Sequence, residues 1–212
     1  MSASAARSLV VVTAGLSQPS SSRLLGDRLA AAVERHLRDA GIEPRVDVIE
    51  LRDHAVELAN HLLTGFPAPP LQAALDRVLA ADGVIAVSPI FSGSYSGLFK
   101  LFFDVIDRDG FRAKPVLIAA TGGTPRHSLA VEHAMRPLFA YLRAAVVPTG
   151  VYAATEDWGQ GSVALDGGLV ERIERAATEL AVAMSGGAAS AASAGRVGFD
   201  DPVPFEDLLH NG

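Results

Sequence analysis

The sequence predicts a single α/β domain built on a parallel sheet with helices on both faces. Five runs rich in β-branched residues recur at wide spacing, and helical periods lie between them, which is the pattern of βαβ units. The first, third and fourth runs are almost unbroken apolar stretches, as expected for strands that helices cover on both faces. The predicted strands are residues 8–14, 45–51, 83–88, 114–121 and 144–153.

Five helices fill the intervals between and after these strands. In the first, apolar residues repeat at fourfold spacing from Leu25 to Leu37, and Gly41 provides a C-terminal stop. In the fourth, Pro137 removes a backbone donor and should kink or interrupt the helix. The predicted helices are residues 21–40, 70–81, 96–107, 128–144 and 166–184.

The number and size of these βα units predict the strand order. Five such units favour a doubly wound sheet with the flavodoxin-like order 2-1-3-4-5. In such sheets the ligand binds beyond the carboxyl ends of the strands, beside the point where the strand order reverses. That point lies between strands one and three, so the loops after strands one, three and four should meet at one edge.

Composition excludes several classes of function. The chain has 212 residues, 49% of them hydrophobic and 20% charged, which is typical of one ordinary globular domain. A formal net charge of −6 argues against binding nucleic acid or anionic lipid, because both require clustered Lys and Arg. The absence of Cys excludes disulfides and thiolate chemistry, and no apolar run is long enough for a membrane span or a signal-peptide core. We therefore expect a cytoplasmic protein.

The composition changes after Met184. Residues 185–195 form a linker of small residues that is expected to be flexible, and residues 196–212 form an acidic tail with two Phe and two Leu. The tail is either disordered or docked on this subunit or a neighbouring one, and the sequence leaves both alternatives open. The predicted domain therefore comprises residues 1–184.

The loop after strand one lies in "TAGLSQPSSSRLL" (13–25) and is rich in hydroxyls. A helix start needs one capping Ser, worth about 1 kcal/mol, whereas this loop brings Ser17, Ser20, Ser21, Ser22 and Arg23. A phosphate group would use the free N–H groups, the helix dipole and several hydroxyl donors together, and simple capping is the alternative. The glycine patterns of the P-loop and of the dinucleotide fingerprint are absent, which disfavours ATP and tightly bound NAD(P) here.

The loop after strand three, "SPIFSGSYSGLFK" (88–100), also exceeds what a turn requires. Pro89 and Gly93 account for the turn, and Ser94 or Ser96 caps the next helix. The backbone amides of such a loop, next to the flat faces of Phe91 and Tyr95, are suited to the edge and face of a planar heterocycle.

The loop after strand four is "TGGTPRHS" (121–128). Its paired glycines leave the backbone approachable, and Arg126 and His127 lie where the chain enters the fourth helix. Taken alone, these residues indicate an ordinary tight turn and a surface histidine. The predicted convergence with the other two loops favours a third wall of one binding site.

With these three loops, the sequence resembles the NADPH-dependent FMN reductase family of flavodoxin-like proteins, particularly members that supply reduced flavin to two-component monooxygenases. The matching segments are "SQPSSSRLL" for the phosphate loop, "PIFSGSYSGLFKLFFD" for the flavin-ring loop and its helix, and "ATGGTPRHSLAVEHAMRPLFAYLRA" for the third loop and the fourth helix. The resemblance covers residues 8–184.

The resemblance implies a set of cofactor-binding residues. Around the FMN phosphate it places Ser17, Ser20, Ser22 and Arg23. Along the ribityl chain and the isoalloxazine ring it places Pro89, Ile90, Phe91, Ser92, Gly93 and Ser94. On the other side of the ring it places Thr121, Gly122 and Gly123, and the expected set also includes Tyr95 and His127.

Two positions in this set carry a more specific expectation. Many relatives have Ser-Pro-Arg at the start of the phosphate loop, where this chain has "LSQPS", so Arg23 is the candidate substitute cation. Tyr95 matches the position at which flavin-supplying members carry an extra residue. That residue widens a turn of the following helix and lies at a subunit contact, so we expect both features at Tyr95.

The implied activity is that of an oxidoreductase, a flavoprotein that transfers a hydride from NADPH or NADH to FMN and supplies reduced FMN to a partner monooxygenase. The cofactor supplies the chemistry, so no catalytic side chain is expected, and the sequence shows no nucleophile elbow and no metal-spaced His cluster. Three alternatives stay open: a quinone or azo-compound reductase with bound FMN, a flavodoxin-type electron carrier, and a non-enzymatic nucleotide-binding module.

The third predicted helix also bears on assembly. Its apolar residues from Leu98 to Ile106 cover an arc of roughly 200° at about 100° per residue, about twice what one face against the sheet requires. The surplus predicts a homodimer or homotetramer. The alternative is that the long segment 52–70 covers this helix.

Overall fold

Parallel strands in the order β2-β1-β3-β5-β6 form the central sheet of the computed structural model, which describes residues 6–158 and 168–186. Strand β7 also pairs in parallel with β5, and the short β4 pairs antiparallel with the end of β3. The strands are β1 (Arg7–Thr13), β2 (Pro44–Glu50), β3 (Gly83–Phe91), β4 (Ser94–Tyr95), β5 (Pro115–Gly122), β6 (Ala145–Val146) and β7 (Val151–Ala154). The predicted order 2-1-3-4-5 is confirmed, with β6 and β7 together as the fifth strand.

The fifth strand is divided because Pro148 follows its first part. The N–H of Val147 still donates to the carbonyl of Val116 at 2.9 Å, but Pro148 has no N–H with which to continue the ladder. Pairing with β5 resumes at Val151, which lies opposite Ala119.

Helices cover both faces of this sheet, as predicted. They are α1 (Ser21–Asp39), α2 (Ala55–Thr64), α3 (Pro69–Ala80), α4 (Gly97–Val105), α5 (Arg136–Tyr141) and α6 (Gly168–Gly186). Buried residues of α1 and α6 form one core with one face of the strands, and buried residues of α2 to α5 form a second core with the other face. This burial on two sides explains why β1, β3 and β5 are almost wholly apolar.

Helix α2 was not predicted, because its exposed side carries apolar residues. Leu58 is fully buried, whereas Val56, Leu62 and Leu63 are exposed, so the sequence shows no clear division into an apolar and a polar face. Together with the short 3-10 helix Leu51–His54, α2 packs against α4. Segment 52–70 therefore covers part of the surplus apolar arc, as the alternative interpretation of that arc expected.

The predicted fourth helix is interrupted, which confirms the expectation for Pro137. A 3-10 turn, Pro125–His127, comes first, a π-helical turn, Val131–Met135, follows, and α5 begins at Arg136. The N–H of Arg136 bonds to the carbonyl of Val131, five residues earlier. Pro137 has no N–H to donate, so regular α-helical bonding cannot run through this segment.

The expectation of a widened turn next to Tyr95 is wrong. Tyr95 lies in β4, and α4 is a regular α-helix capped by the hydroxyl of Ser96, which accepts from the N–H of Phe99 at 3.2 Å. The widened turn of this fold lies at Val131–Met135.

Candidate functional site

Three loops meet at the carboxyl edge of the sheet, as the strand order predicts. Thr13 at the end of β1 lies opposite Val87 of β3, and Pro89 of β3 lies opposite Thr121 of β5. The loops that follow these strands are therefore neighbours. We call them the first loop (residues 14–20), the second loop (residues 89–95) and the third loop (residues 121–128).

The first loop is folded tightly onto the start of α1. A Cβ on Gly15 would lie 1.9 Å from Oγ of Ser20, so only glycine fits at this position. Oγ of Ser20 caps α1 by accepting from the N–H of Arg23 at 3.2 Å. In the described residues, the N–H groups of Ser21 and Ser22 have no protein acceptor. The start of α1 thus presents free donors, and Ser17 in the loop before it is exposed.

The hydroxyl of Ser22, in the first turn of α1, joins the end of the first loop to the third loop. It lies 2.8 Å from Oγ1 of Thr121, and both residues are buried. The structure therefore brings these two predicted site residues together, although they are 99 positions apart. Because this hydroxyl is paired inside the protein, the N–H of Ser22 is the group left for a ligand.

Arg23 faces carboxylates. Its Nε lies 2.8 Å from Asp27, and its Nη1 lies 2.7 Å from Glu50. The hydrogen bond to Asp27 is the largest of the contributions that raise the pKa of Arg23 above its ordinary value. Its role as the phosphate cation stays a prediction, and these two ion pairs count against it.

Arg52, which lies just after β2, contacts the first loop, and the sequence did not indicate this role. Its Nη1 donates to the carbonyl of Ser17 at 3.2 Å, and its Nη2 lies 2.8 Å from Glu50. We assign the side-chain amide of Gln18 with its oxygen toward the guanidinium, because only this orientation lets it accept from Nη1, at 3.0 Å, and from Nη2. In sequence, "ELRD" resembles any charged strand end, because nothing in it specifies a partner 35 residues earlier.

The second loop is a two-residue hairpin: Gly93 lies in its turn, as predicted, whereas Pro89 lies in β3 and not in the turn. Ile90 pairs with Tyr95, and the turn consists of Ser92 and Gly93, with φ of 50° and 82°. Two left-handed residues match the twist of a tight hairpin. The turn leaves Phe91 47% exposed at its base.

Ser88 closes the ends of this hairpin. Its buried hydroxyl donates to the carbonyl of Pro89 and accepts from the N–H of Ser96, both at 2.9 Å. Of the remaining predicted residues, Pro89, Ile90, Ser94 and Tyr95 are half-buried. Tyr95 packs against Phe99, with ring centroids 5.6 Å apart, so its ring contributes to the core beneath the loop.

The third loop rests on Tyr152 of β7, a second residue that the sequence did not indicate. The hydroxyl of Tyr152 donates to the carbonyl of Thr124 at 2.6 Å, and a Cβ on Gly122 would lie 2.2 Å from the same hydroxyl. Burial, and secondarily the charge of Asp157, raises the pKa of Tyr152 above its ordinary value. Gly123 has open space around it, and His127 is exposed.

These features fit the parts of FMN. Free N–H donors at the start of α1 suit a phosphate. The exposed ring of Phe91 and the uncrowded backbone of Gly123 suit a planar ring system. The predicted phosphate residues lie in the first loop and the first turn of α1, and the predicted ring residues lie in the other two loops.

The comparison with protein families decides the family. Residues 8–159 match the family model for NADPH-dependent FMN reductase. The chain belongs to this family. Its members are oxidoreductases that use FMN with NADPH or NADH. The predicted family, enzyme class and cofactors are therefore confirmed.

Relatives and solved structures agree with this assignment. An FMN reductase (NADPH) of Pseudomonas aeruginosa is 41% identical over 71% of this chain and 78% of its own length. An NADH-dependent FMN reductase, SfnE, of Pseudomonas putida is 35% identical over 84% of this chain and 92% of its own. An oxidoreductase structure from Corynebacterium diphtheriae covers 86% of this chain and 98% of its own at a TM-score of 0.81 and 42% identity. The apo structure of the NADH:FMN oxidoreductase EmoB has a TM-score of 0.70 at 25% identity, over 84% of this chain and 89% of its own.

The described helices also bear on membrane association. None of those within residues 6–158 and 168–186 is long and apolar enough to cross a membrane.

Proposed function

We propose that this protein transfers a hydride from NADPH or NADH to FMN held at the carboxyl edge of the sheet. The observation that carries the proposal is the meeting of three loops at this edge: a 2.8 Å contact joins Ser22 to Thr121, and Pro89 pairs with Thr121 across the sheet. Family membership adds support, since its members share this reaction.

In this proposal the first loop holds the phosphate of FMN. The backbone N–H groups of Ser21 and Ser22 donate to it, with the hydroxyls of Ser17 and Ser20 beside them. The dipole of α1 favours the negative charge at this end of the helix. Asp27 and Glu50 engage Nε and Nη1 of Arg23, so in the described residues Nη2 is the group left for a direct contact.

The second and third loops hold the ribityl chain and the ring. We place Phe91, Ser92 and Gly93 on one side and Gly122 and Gly123 on the other. The remaining predicted residues, Pro89, Ile90, Ser94, Tyr95, Thr121 and His127, support or border these two walls. FMN supplies the hydride-accepting chemistry when bound, so the protein's part is to bind, orient and leave one ring face accessible.

Steady-state oxidation of NADPH and NADH, with and without added FMN, tests this function. We expect saturable, FMN-dependent loss of nicotinamide absorbance with at least one of the two nucleotides. No FMN-dependent turnover with either nucleotide would contradict the enzyme assignment and favour an electron carrier or a binding module.

A second assay arm separates the acceptors. Addition of a quinone or an azo dye should leave the rate of NAD(P)H oxidation unchanged if free FMN is the acceptor that is released. A large increase in rate with the quinone, at a fixed low FMN concentration, would instead identify a quinone reductase with bound FMN.

The assembly and the partners are further parts of this proposal. A groove of about 800 Å³ between α4 and α5 is lined by Tyr95, Phe103, His133, Leu138 and Tyr141 among others. We propose that the protein forms a homodimer or homotetramer through this face. We also propose that it passes reduced FMN to a monooxygenase. Light scattering of the purified protein tests the first statement, and coupled turnover with a flavin-dependent monooxygenase tests the second.

The domain limits also stay a proposal. We assign the reductase domain to residues 1–184, followed by the linker 185–195 and the tail 196–212. Helix α6 ends at Gly186, and the tail, like most of the linker, lies outside the described residues.

A further inference from the structure

Arg52 lies where β2 ends and touches the loop proposed to hold the phosphate. We propose that Arg52 is a positioning residue that shapes the first loop for the FMN phosphate, and so sets the preference of the protein for FMN over riboflavin. This inference rests on the proposed function. It assigns Arg52 no contact with the phosphate itself.

The guanidinium of Arg52 is fixed by groups from both sides. On the strand side, Nη2 forms an ion pair with Glu50, with 2.8 Å between Nη2 and Oε2. On the loop side, the carbonyl of Ser17 accepts from Nη1 at 3.2 Å, and the amide oxygen of Gln18 accepts from the same nitrogen at 3.0 Å. The side chain of Arg52 is only 16% exposed and that of Glu50 18%, so their ion pair is partly shielded from water, whereas Ser17 and Gln18 lie at the surface.

Glu50 shares its two carboxylate oxygens between two arginines. Oε1 pairs with Arg23 at 2.7 Å, and Oε2 pairs with Arg52 at 2.8 Å. Since Glu50 lies opposite Thr13 at the end of the β1 ladder, this cluster is anchored at the strand end from which the first loop leaves. The planar fork of an arginine can bind a carboxylate and a carbonyl at once, whereas the ammonium of a lysine cannot hold the same fixed geometry.

The contact with Ser17 has a consequence for the ligand side of the loop. The peptide between Ser17 and Gln18 is trans, so its carbonyl and its N–H point in opposite directions. When Arg52 binds the carbonyl, the N–H of Gln18 points away from the guanidinium. In the described residues this N–H has no protein acceptor, so it is available to a phosphate oxygen, and the carbonyl dipole is kept away from that charge.

Two variants and one control test this inference on the full-length protein. Arg52→Met removes the fork, and Arg52→Lys keeps the charge without it. The control is Arg77→Gln in α3. It removes a half-exposed ion pair in which Nη1 of Arg77 lies 2.8 Å from Asp47 of β2, the strand that also carries Glu50. Dissociation constants for FMN and for riboflavin, measured by flavin fluorescence, give the ratio that reports on phosphate recognition.

We expect Arg52→Met to weaken FMN binding about tenfold, or about 1.4 kcal/mol, while riboflavin binding changes less than about twofold. Arg52→Lys should lose more than half as much FMN binding free energy as Arg52→Met does. Arg77→Gln should leave the ratio of the FMN and riboflavin dissociation constants unchanged. A thermal melt of each protein without flavin shows that it is folded.

Other results would overturn the inference. An equal loss for both flavins, or no loss, means that Arg52 supports the fold and not phosphate recognition. If Arg52→Lys keeps the full FMN affinity and the loss in Arg52→Met disappears at high salt, then only the positive charge of Arg52 matters. Failure of the proposed function is visible separately, since the unchanged protein would then show no preference for FMN or no flavin binding.

Discussion

The two ends of the proposed flavin site are built in opposite ways. At the phosphate end, side chains are paired within the protein: Ser20 caps α1, Ser22 bonds to Thr121, and Arg52 binds the carbonyl of Ser17. At the ring end, Phe91 is 47% exposed and Gly123 has open space around it. One end is held in a single shape, and the other offers an accessible surface.

This difference suits the two tasks of such a site. A preorganised loop binds a small charged group without losing conformational entropy on binding, so it supplies affinity and selectivity. An open ring wall leaves space for a nicotinamide to approach. Substitutions at the phosphate end should therefore lower the affinity for FMN more than that for riboflavin. Substitutions at the ring end should lower both affinities equally.

Gly15→Ala should have the largest effect and acts at the phosphate end. The new Cβ would lie 1.9 Å from Oγ and 2.9 Å from Cβ of Ser20, so the cap and the loop must move. We expect FMN affinity to fall about 100-fold, or about 2.7 kcal/mol, and riboflavin affinity to fall much less. The matched control is Gly97→Ala at the start of α4, outside both proposed flavin walls, whose Cβ would meet nothing within 4 Å among the described residues. Calorimetric titration with each flavin checks both, and unchanged FMN binding in Gly15→Ala would contradict the assignment of this loop.

Gly122→Ala should have an intermediate effect and tests the third loop. Its Cβ would lie 2.2 Å from the hydroxyl of Tyr152 and 3.1 Å from Cζ. We expect FMN and riboflavin affinity to fall together, by about tenfold. Adding Tyr152→Phe removes the clashing hydroxyl, but it also leaves the carbonyl of Thr124 without its donor, so it should recover only part of the loss. A change in the FMN-to-riboflavin ratio would contradict the division between the two ends.

Phe91→Ala should have the smallest effect and changes only the exposed wall. Because the side chain is already 47% exposed, the free energy of unfolding should change by less than about 0.5 kcal/mol. Loss of its ring face should weaken the binding of both flavins about fivefold and raise the KM for FMN in NAD(P)H-dependent turnover. Fluorescence titration and steady-state kinetics measure these effects. A selective loss of FMN would show that Phe91 belongs to the phosphate end.

The strand order and the location of the site were predictable because they depend on local patterns. Apolar runs mark β1, β3 and β5, and the rule for doubly wound sheets then places three loops at one edge. Helix α2 was missed because exposed apolar side chains such as Leu63, 85% exposed, hide its periodicity. The widened turn was expected after Tyr95 and lies at Val131–Met135, since the choice between α and π bonding depends on contacts that spacing does not encode.

Partners of charged residues were the least predictable part of the site. The sequence shows Arg23 next to a run of serines and so favours it as a phosphate ligand. In the structure its partner Glu50 comes from the end of β2, 27 residues further along the chain. Arg52 reaches the first loop over 35 residues, and Tyr152 reaches the third over 28. Such contacts exist only once the sheet has brought the strand ends together.

Ser88 has a consequence for how this fold can be altered. Its hydroxyl ties the carbonyl of Pro89 to the N–H of Ser96, so both ends of the hairpin are fixed to one buried atom. We therefore expect residues 89–95 to tolerate exchange, since β3 up to Ser88 and the Ser96 cap of α4 are held by their own hydrogen bonds. Grafting hairpins of other lengths between Ser88 and Ser96 would alter the shape of the ring wall while the phosphate end stays intact.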